Sequence, residues 1–222
     1  MENKKVTQDK CEMLLGWLKD LEKEIFEMFH HLQLFHFTRD EILEKNQIVK
    51  SGNMTYLGWI MRSSTVDLII RVARLCDDTK GTDSFVRFLR ELEKSPECLT
   101  KERYVGLYEG SVNADSARHY FEDLAGDGAV RFPIEQIESD INILTKEEPL
   151  LGITMYRNEY VAHIAATKKR LPPDYGELFV GMETIGGLIK RYKSLLTASI
   201  LMTTTPTIQD DWQEPLRYPL IS

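Results

Sequence analysis

Apolar side chains recur every three or four residues over long stretches of this chain. The first stretch runs from Val6 to Phe37, and its apolar positions are Cys11, Leu14, Leu15, Leu18, Leu21, Ile25, Phe29 and Leu32. Steps of three and four return to the same side of an α-helix, because one turn takes about 3.6 residues. The pattern predicts one long amphipathic helix that buries a single stripe.

The same helical period continues to the end of the chain. It predicts helices in six further places: a long one over 54–76, short ones over 85–92 and 115–124, one after Pro133, one after Pro149, and a last long one that Asp174 is placed to cap. No segment alternates apolar and polar residues as a strand does. The chain is therefore predicted to be all-α, a helical bundle with long first, second and last helices and a mid-chain insertion.

The 222 residues are 42% hydrophobic, which is enough for a sizeable core. We predict a single helical domain over 1–202, followed by a proline-containing tail over 203–222. No run of 18 apolar residues predicts a membrane span, and the charged first residues do not resemble a secretory signal. The three cysteines, Cys11, Cys76 and Cys98, are odd in number and far apart. This pattern favours buried thiols in a reducing compartment over a disulfide frame or a zinc site, so a cytoplasmic protein is predicted.

The charge of the chain bears on the partners that it can bind. A net charge of −7 weighs against a protein that coats nucleic acid, which needs a broad basic face. A local basic pocket remains open, since basic residues cluster at 168–170 and at Lys190, Arg191 and Lys193. The ordinary explanation for each cluster is solvated charge on a helix.

Histidines are the next candidates for chemistry. His30, His31 and His36 lack the i, i+4 spacing of helical metal ligands and alternate with phenylalanines, so packing roles are predicted for them. His119, beside Tyr120, has no visible partner and receives the same interpretation. Motifs for a metal or a cofactor are absent, and neither is predicted; nothing points to a Cys–His nucleophile, although such partners need not be close in sequence.

The segment from Arg157 to His163 has a different character. On an ideal α-helix the apolar stripe is Ile153, Tyr156, Tyr160 and Ile164. Arg157 and His163 would flank that stripe, about 120° apart and roughly 9 Å along the axis. Imidazole transfers protons near neutral pH, guanidinium binds phosphate oxygens, and the Asn158 amide can orient a phosphate or a ribose hydroxyl. These groups suffice for metal-free RNA cleavage, but the spacing alone is common, and without further context a structural role is the more frequent explanation.

The run Tyr156-Arg157-Asn158-Glu159-Tyr160-Val161-Ala162-His163 resembles the R-x4–6-H signature of the HEPN (higher eukaryotes and prokaryotes nucleotide-binding) superfamily. The surrounding chain is similar to the abortive-infection AbiU-type branch over roughly residues 6–200. In that branch a long first helix is followed by a helix ending much like residues 71–77, and the motif helix lies late in the chain. Ile164-Ala165 depart from the family, which often has a polar or acidic residue after the histidine.

The resemblance implies a metal-independent endoribonuclease, with His163 and Arg157 as the catalytic pair and Asn158 as a supporting group. It also implies RNA as the substrate and a homodimer whose two motifs face each other. Two other functions remain open from the sequence. One is a HEPN-like dimer that binds nucleotide, RNA or a protein without cutting, and the other is a toxin that a neighbouring antitoxin silences.

Overall fold

The structure is a computed structural model, and it describes residues 2–45, 54–161 and 171–199. It confirms the all-α prediction, since these residues contain no strand and their one isolated β-bridge joins Thr100 to Arg131. The helices are α1 (Glu2–Lys45), α2 (Met54–Leu75), α3 (Phe85–Glu93), α4 (Lys101–Gly106), α5 (Ala117–Ala125), α6 (Ile134–Lys146), α7 (Leu150–Tyr156) and α8 (Tyr175–Thr197). No helix in the described ranges combines the length and the apolarity that a membrane crossing requires.

The first helix is longer than the period predicted, because it continues past Phe37 to Lys45. Phe35 is the last buried apolar residue among the α1 side chains that the structure describes, which end at Arg39. Residues 38–45 contain neither glycine nor proline, and they include leucine, glutamate and lysine, which form helix well without core contacts. Helix propensity therefore suits the continuation of α1 to Lys45.

Ion pairs join α1 to α2 as antiparallel neighbours. Nδ1 of His31 lies 2.6 Å from a carboxylate oxygen of Asp67, and one turn later in α2 the Arg71 guanidinium lies 3.0 Å from Glu24. Arg71 also donates to Asp67 at 2.9 Å, so one guanidinium links two carboxylates. Because Arg71 and Glu24 are mostly buried, water screens this pair less than a surface pair. These ion pairs set the register of α2 along α1. They therefore also set the position in space of the C-terminal end of α2.

The last helix also runs antiparallel to α1. Near the start of α8, the Tyr175 ring stacks on Phe35 with ring centroids 4.1 Å apart. Near its end, the Lys193 ammonium lies 3.0 Å from Glu22. The predicted cap is confirmed, since Asp174 accepts a hydrogen bond from the Glu177 amide and the Glu177 side chain accepts one from the Asp174 amide.

A buried carboxylate ties α6 to α8. Asp140 is fully buried, and it accepts hydrogen bonds from the Tyr192 hydroxyl at 2.7 Å, the Arg191 guanidinium at 2.9 Å and the Gln136 amide at 3.0 Å. With these donors the carboxylate is satisfied away from water. Burial and the adjacent carboxylate raise the pKa of Tyr192. This cluster has a structural role, because the Asp140 carboxylate and its three donors are hydrogen-bonded to one another.

The predicted mid-chain insertion packs against the end of α8. It contains a 3₁₀ turn over Pro96–Leu99, then α4 and α5. The Arg103 guanidinium donates to the main-chain oxygens of Leu196 at 3.1 Å and Cys98 at 3.3 Å. Burial lowers the pKa of Arg103. The insertion thus closes one end of the bundle by satisfying carbonyls that a helix end leaves without partners.

The prediction of three buried thiols is wrong for two of them. Cys11 of α1 and Cys98 of the 3₁₀ turn form a disulfide, with their Cα atoms 5.6 Å apart across a sequence separation of 87 residues. Cys76 is a free, buried thiol, as predicted. The odd number and wide spacing of the cysteines did not predict this pair, because packing brings residues from distant parts of the sequence together. The distance between the two Cα atoms is ordinary for a disulfide. The cysteines therefore no longer favour a reducing compartment.

Gly181 of α8 leaves room for two side chains of α7. A Cβ atom at this position would lie 2.9 Å from a methyl carbon of Leu150 and 3.2 Å from one of Ile153, and both of these side chains are buried. We expect Gly181→Val to lower the free energy of unfolding by about 1–3 kcal/mol, because extra methyl groups in a packed core force side chains off their rotamers.

Gly187→Val is the matched control for this prediction. Gly187 is an exposed glycine of the same helix, and a Cβ there meets no atom within 4 Å. Urea unfolding followed by circular dichroism measures both variants. Equal stability of the two would show that α7 is not packed on α8 at this point.

Candidate functional site

The candidate motif lies on a widened helical turn. Helix α7 ends at Tyr156, and residues Arg157–Val161 continue as a π-helix. The ideal α-helical layout predicted for this segment is therefore wrong over Arg157–Val161, because hydrogen bonds to the fifth residue add a residue to the turn. The predicted angle and separation between Arg157 and His163 stay a prediction. His163 and Ile164 lie outside the described residues.

The inner side of the turn is attached to the core. Ile153 is buried, as the predicted stripe requires, and Tyr156 and Val161 are partly buried against the core. The rings of Tyr156 and Tyr160 lie 5.0 Å apart. These contacts hold the segment on one side and leave the other open to solvent.

Arg157 and Asn158 differ in their exposure to solvent. The Arg157 side chain is 25% exposed, and Asn158 is exposed. Nη2 of Arg157 is 4.0 Å from Oδ2 of Asp77, which follows the end of α2. That distance is an ion pair without a direct hydrogen bond, so the guanidinium keeps donors for a phosphate. The structure thus brings together one predicted site residue and a carboxylate that was not assigned a role.

Two polar atoms of this region are buried without hydrogen-bond partners. They are Oε2 of Glu159, inside the π turn, and Oγ1 of Thr154, in α7. A buried acceptor or hydroxyl without a partner costs about 1–3 kcal/mol. The same situation occurs at Trp17 and Gln33 of α1 and at Tyr175 of α8, so it does not distinguish the motif segment from the helices that support it.

A cavity of about 550 Å³ adjoins the start of the motif helix. Its lining residues are Glu148, Pro149, Gly152, Ile153, Leu171, Pro172, Pro173, Asp174 and Glu177. Its carboxylates repel phosphate, and those of Asp174 and Glu177 are already held in the cap of α8. A phosphate bound by Arg157 would therefore approach from outside this cavity.

The basic cluster of α8 does not form a phosphate-binding face. Arg191 is held by Asp140, and Lys193 is held by Glu22. These two residues are therefore held in ion pairs within the fold and are not solvated charges. The second cluster, at 168–170, lies outside the described residues.

His31, His119 and Cys76 were the remaining candidates for chemistry in the described ranges. His31 pairs with Asp67 between α1 and α2, and His119 is 76% exposed with Asp123 at 3.8 Å. Burial raises the pKa of the Cys76 thiol to about 12, so it stays protonated and is a poor nucleophile. In residues 2–45, 54–161 and 171–199, no group of three His, Cys, Asp or Glu side chains is arranged to hold a metal ion.

Asp77 is the residue of this site that sequence reasoning did not assign. Asp77 is the last residue of the segment 71–77, which is part of the resemblance. Nothing in the sequence indicated that it would contact Arg157, which lies 80 positions later. Only packing of the motif segment against α2 reveals the pair.

Comparisons of the chain with models of protein families, with curated proteins and with solved structures found no match.

Proposed function

We propose that this protein is a metal-independent endoribonuclease of the HEPN type, acting in a phage-defence or toxin–antitoxin type system. The observation that carries the proposal is Arg157, a partly exposed cation on a π turn, at the start of an R-x5-H segment. A π turn inside a helix is frequent at functional sites. The all-helical fold is compatible with the superfamily but does not by itself imply an activity.

The proposed mechanism assigns one role to each motif residue. The ribose 2′-hydroxyl loses its proton and attacks the adjacent phosphorus, and the bond to the 5′-oxygen breaks. His163 is the proton-transfer group, because imidazole can accept and return a proton near neutral pH. Arg157 stabilises the charge that develops on the phosphate, and Asn158 orients the substrate. The products are a 2′,3′-cyclic phosphate and a 5′-hydroxyl.

A homodimer is part of the proposal. A two-fold interface that frames the motif segment would bring two copies of Arg157 and His163 to one groove. The local positive charge would then double, although each chain carries a net charge of −7. The proposed location is the cytoplasm, where RNA is available, and an antitoxin or regulatory protein is a further proposed partner.

The experiment that tests the function is incubation of purified protein with RNA in the presence of a chelator. We expect cleavage that the chelator does not reduce, since each proposed role belongs to a side chain. An oligonucleotide with a single 2′-deoxy sugar at the cut position should resist at that position, because it lacks the nucleophile. Mass spectrometry of the fragments should find the cyclic phosphate, and cleavage of the deoxy substrate at that position would refute the mechanism.

The second candidate is a HEPN-like dimer that binds nucleotide, RNA or a partner protein without cutting it. The acidic net charge and the internal pairing of Arg191 and Lys193 favour this function over a general RNA-degrading surface. Binding of labelled RNA without any product, at protein concentrations that saturate binding, would establish it. A toxin silenced through covalent modification by an antitoxin would instead regain cleavage when the modification is removed.

A further inference from the structure

We propose that Asp77 is a positioning residue that holds the Arg157 guanidinium in place for a phosphate. This inference rests on the proposed function, and it concerns a residue outside the R-x5-H segment. Oδ2 of Asp77 is the carboxylate oxygen 4.0 Å from Nη2 of Arg157, and both side chains are 25% exposed.

Asp77 is itself held rigidly at the end of α2. Its Oδ1 accepts a hydrogen bond from the Thr79 amide at 2.9 Å, and its own amide donates to the Arg74 carbonyl. Its carbonyl oxygen accepts a hydrogen bond from the hydroxyl of Ser84, a fully buried residue that also caps α3. These bonds engage the main chain and one carboxylate oxygen and leave Oδ2 for Arg157.

The strength of the contact suits a positioning role. A direct bidentate pair would occupy the guanidinium donors that a phosphate needs. At 4.0 Å the carboxylate attracts the guanidinium without consuming those donors. An arginine side chain has many rotamers, and confining it before the substrate binds removes part of the entropy cost of binding. Asp77 thus restricts where the charge of Arg157 lies.

Its neighbour Asp78 provides a matched control. Asp78 pairs with Arg90 at 3.2 Å and with Arg87 at 3.9 Å, both on α3. Asp78→Asn removes the same charge one residue further along the same loop. Any effect that depends only on net charge or on the stability of this loop should appear in both variants.

The test compares Asp77→Asn, Asp77→Glu and Asp78→Asn in the full-length protein. We expect Asp77→Asn to lower kcat for RNA cleavage by about 10- to 100-fold, because small misplacements of a catalytic group have effects of this size. Asp77→Glu keeps the charge and should recover part of the loss, while Asp78→Asn should match wild type. Equal kcat and KM in the two Asn variants would overturn the proposal, as would a loss of activity that follows their unfolding midpoints.

A second measurement separates this inference from the proposed function. Phenylglyoxal modifies arginine guanidines, and mass spectrometry of peptides gives the rate at Arg157 whether or not the protein cuts RNA. We expect faster modification of Arg157 in Asp77→Asn than in wild type or Asp78→Asn. If wild type cuts no RNA but Arg157 is still modified faster in Asp77→Asn, the proposed RNA function fails and the positioning contact stands. An unchanged rate of modification in Asp77→Asn overturns the positioning contact.

Discussion

Replacing Arg157 or His163 by alanine is expected to lower RNA cleavage by at least about 10²-fold while leaving the helical fold intact. Proton transfer by a positioned side chain contributes about 10²–10⁴-fold, and loss of a preorganised charge donor costs about 10²–10³-fold. Among the described residues Arg157 makes one long ion pair, and it is not one of the buried core residues, so its removal is expected to leave the core intact. Asn158→Ala should have a smaller effect if the amide only orients the substrate.

Two residues of α5 serve as controls for these substitutions. Arg118→Ala and His119→Ala remove the same side chains from exposed positions. Initial rates on a labelled RNA, together with circular dichroism of each variant, separate chemistry from folding. Full activity in a folded His163→Ala protein would refute the mechanism, and loss of activity in His119→Ala would show that the assay reports something other than the motif.

Breaking the Cys11–Cys98 disulfide is expected to lower the free energy of unfolding by roughly 4–5 kcal/mol. The size follows from the 87-residue separation, because a cross-link restricts the unfolded chain more when it closes a longer loop. Both cysteines are buried, so their removal also affects packing between α1 and the insertion. Urea unfolding of wild type with and without reductant measures the change.

Cys76→Ala is the control for the disulfide prediction. Cys76 is buried but makes no disulfide, so reductant should lower the stability of this variant as much as that of wild type. In Cys11→Ala/Cys98→Ala, reductant should have no effect. Alkylation and mass spectrometry of unfolded wild-type protein should find one reactive thiol, and three would contradict the pairing.

The disulfide and the proposed function point to different compartments. Structural disulfides persist in oxidising surroundings and are rare in the cytosol, whereas an RNA-cleaving defence protein meets its substrate in the cytoplasm. The thiol state of protein isolated from cells decides between the two compartments. A reduced pair in active protein would fit the cytoplasmic proposal and make the cross-link dispensable for activity.

Helices and their ends were predictable because their signals are local. The apolar period of α1 and α2 records which side of each helix faces a core, and α2 begins at Met54 as predicted. Asp174 and Glu177 form the predicted cap with atoms three residues apart. The sequence by itself therefore determined the fold class and the long helices.

Contacts between distant residues were decided by the tertiary structure alone. Cys11 meets Cys98, and Arg157 meets Asp77, because separate helices pack side by side and no local spacing encodes their register. The π turn at Arg157 also broke the regular period from which the site geometry was predicted. A periodic pattern assigns each residue to a side of one helix, but the partner on that side depends on how the helices pack. For this reason the sequence alone predicted Arg157 as a site residue, and only the fold placed Asp77 beside it.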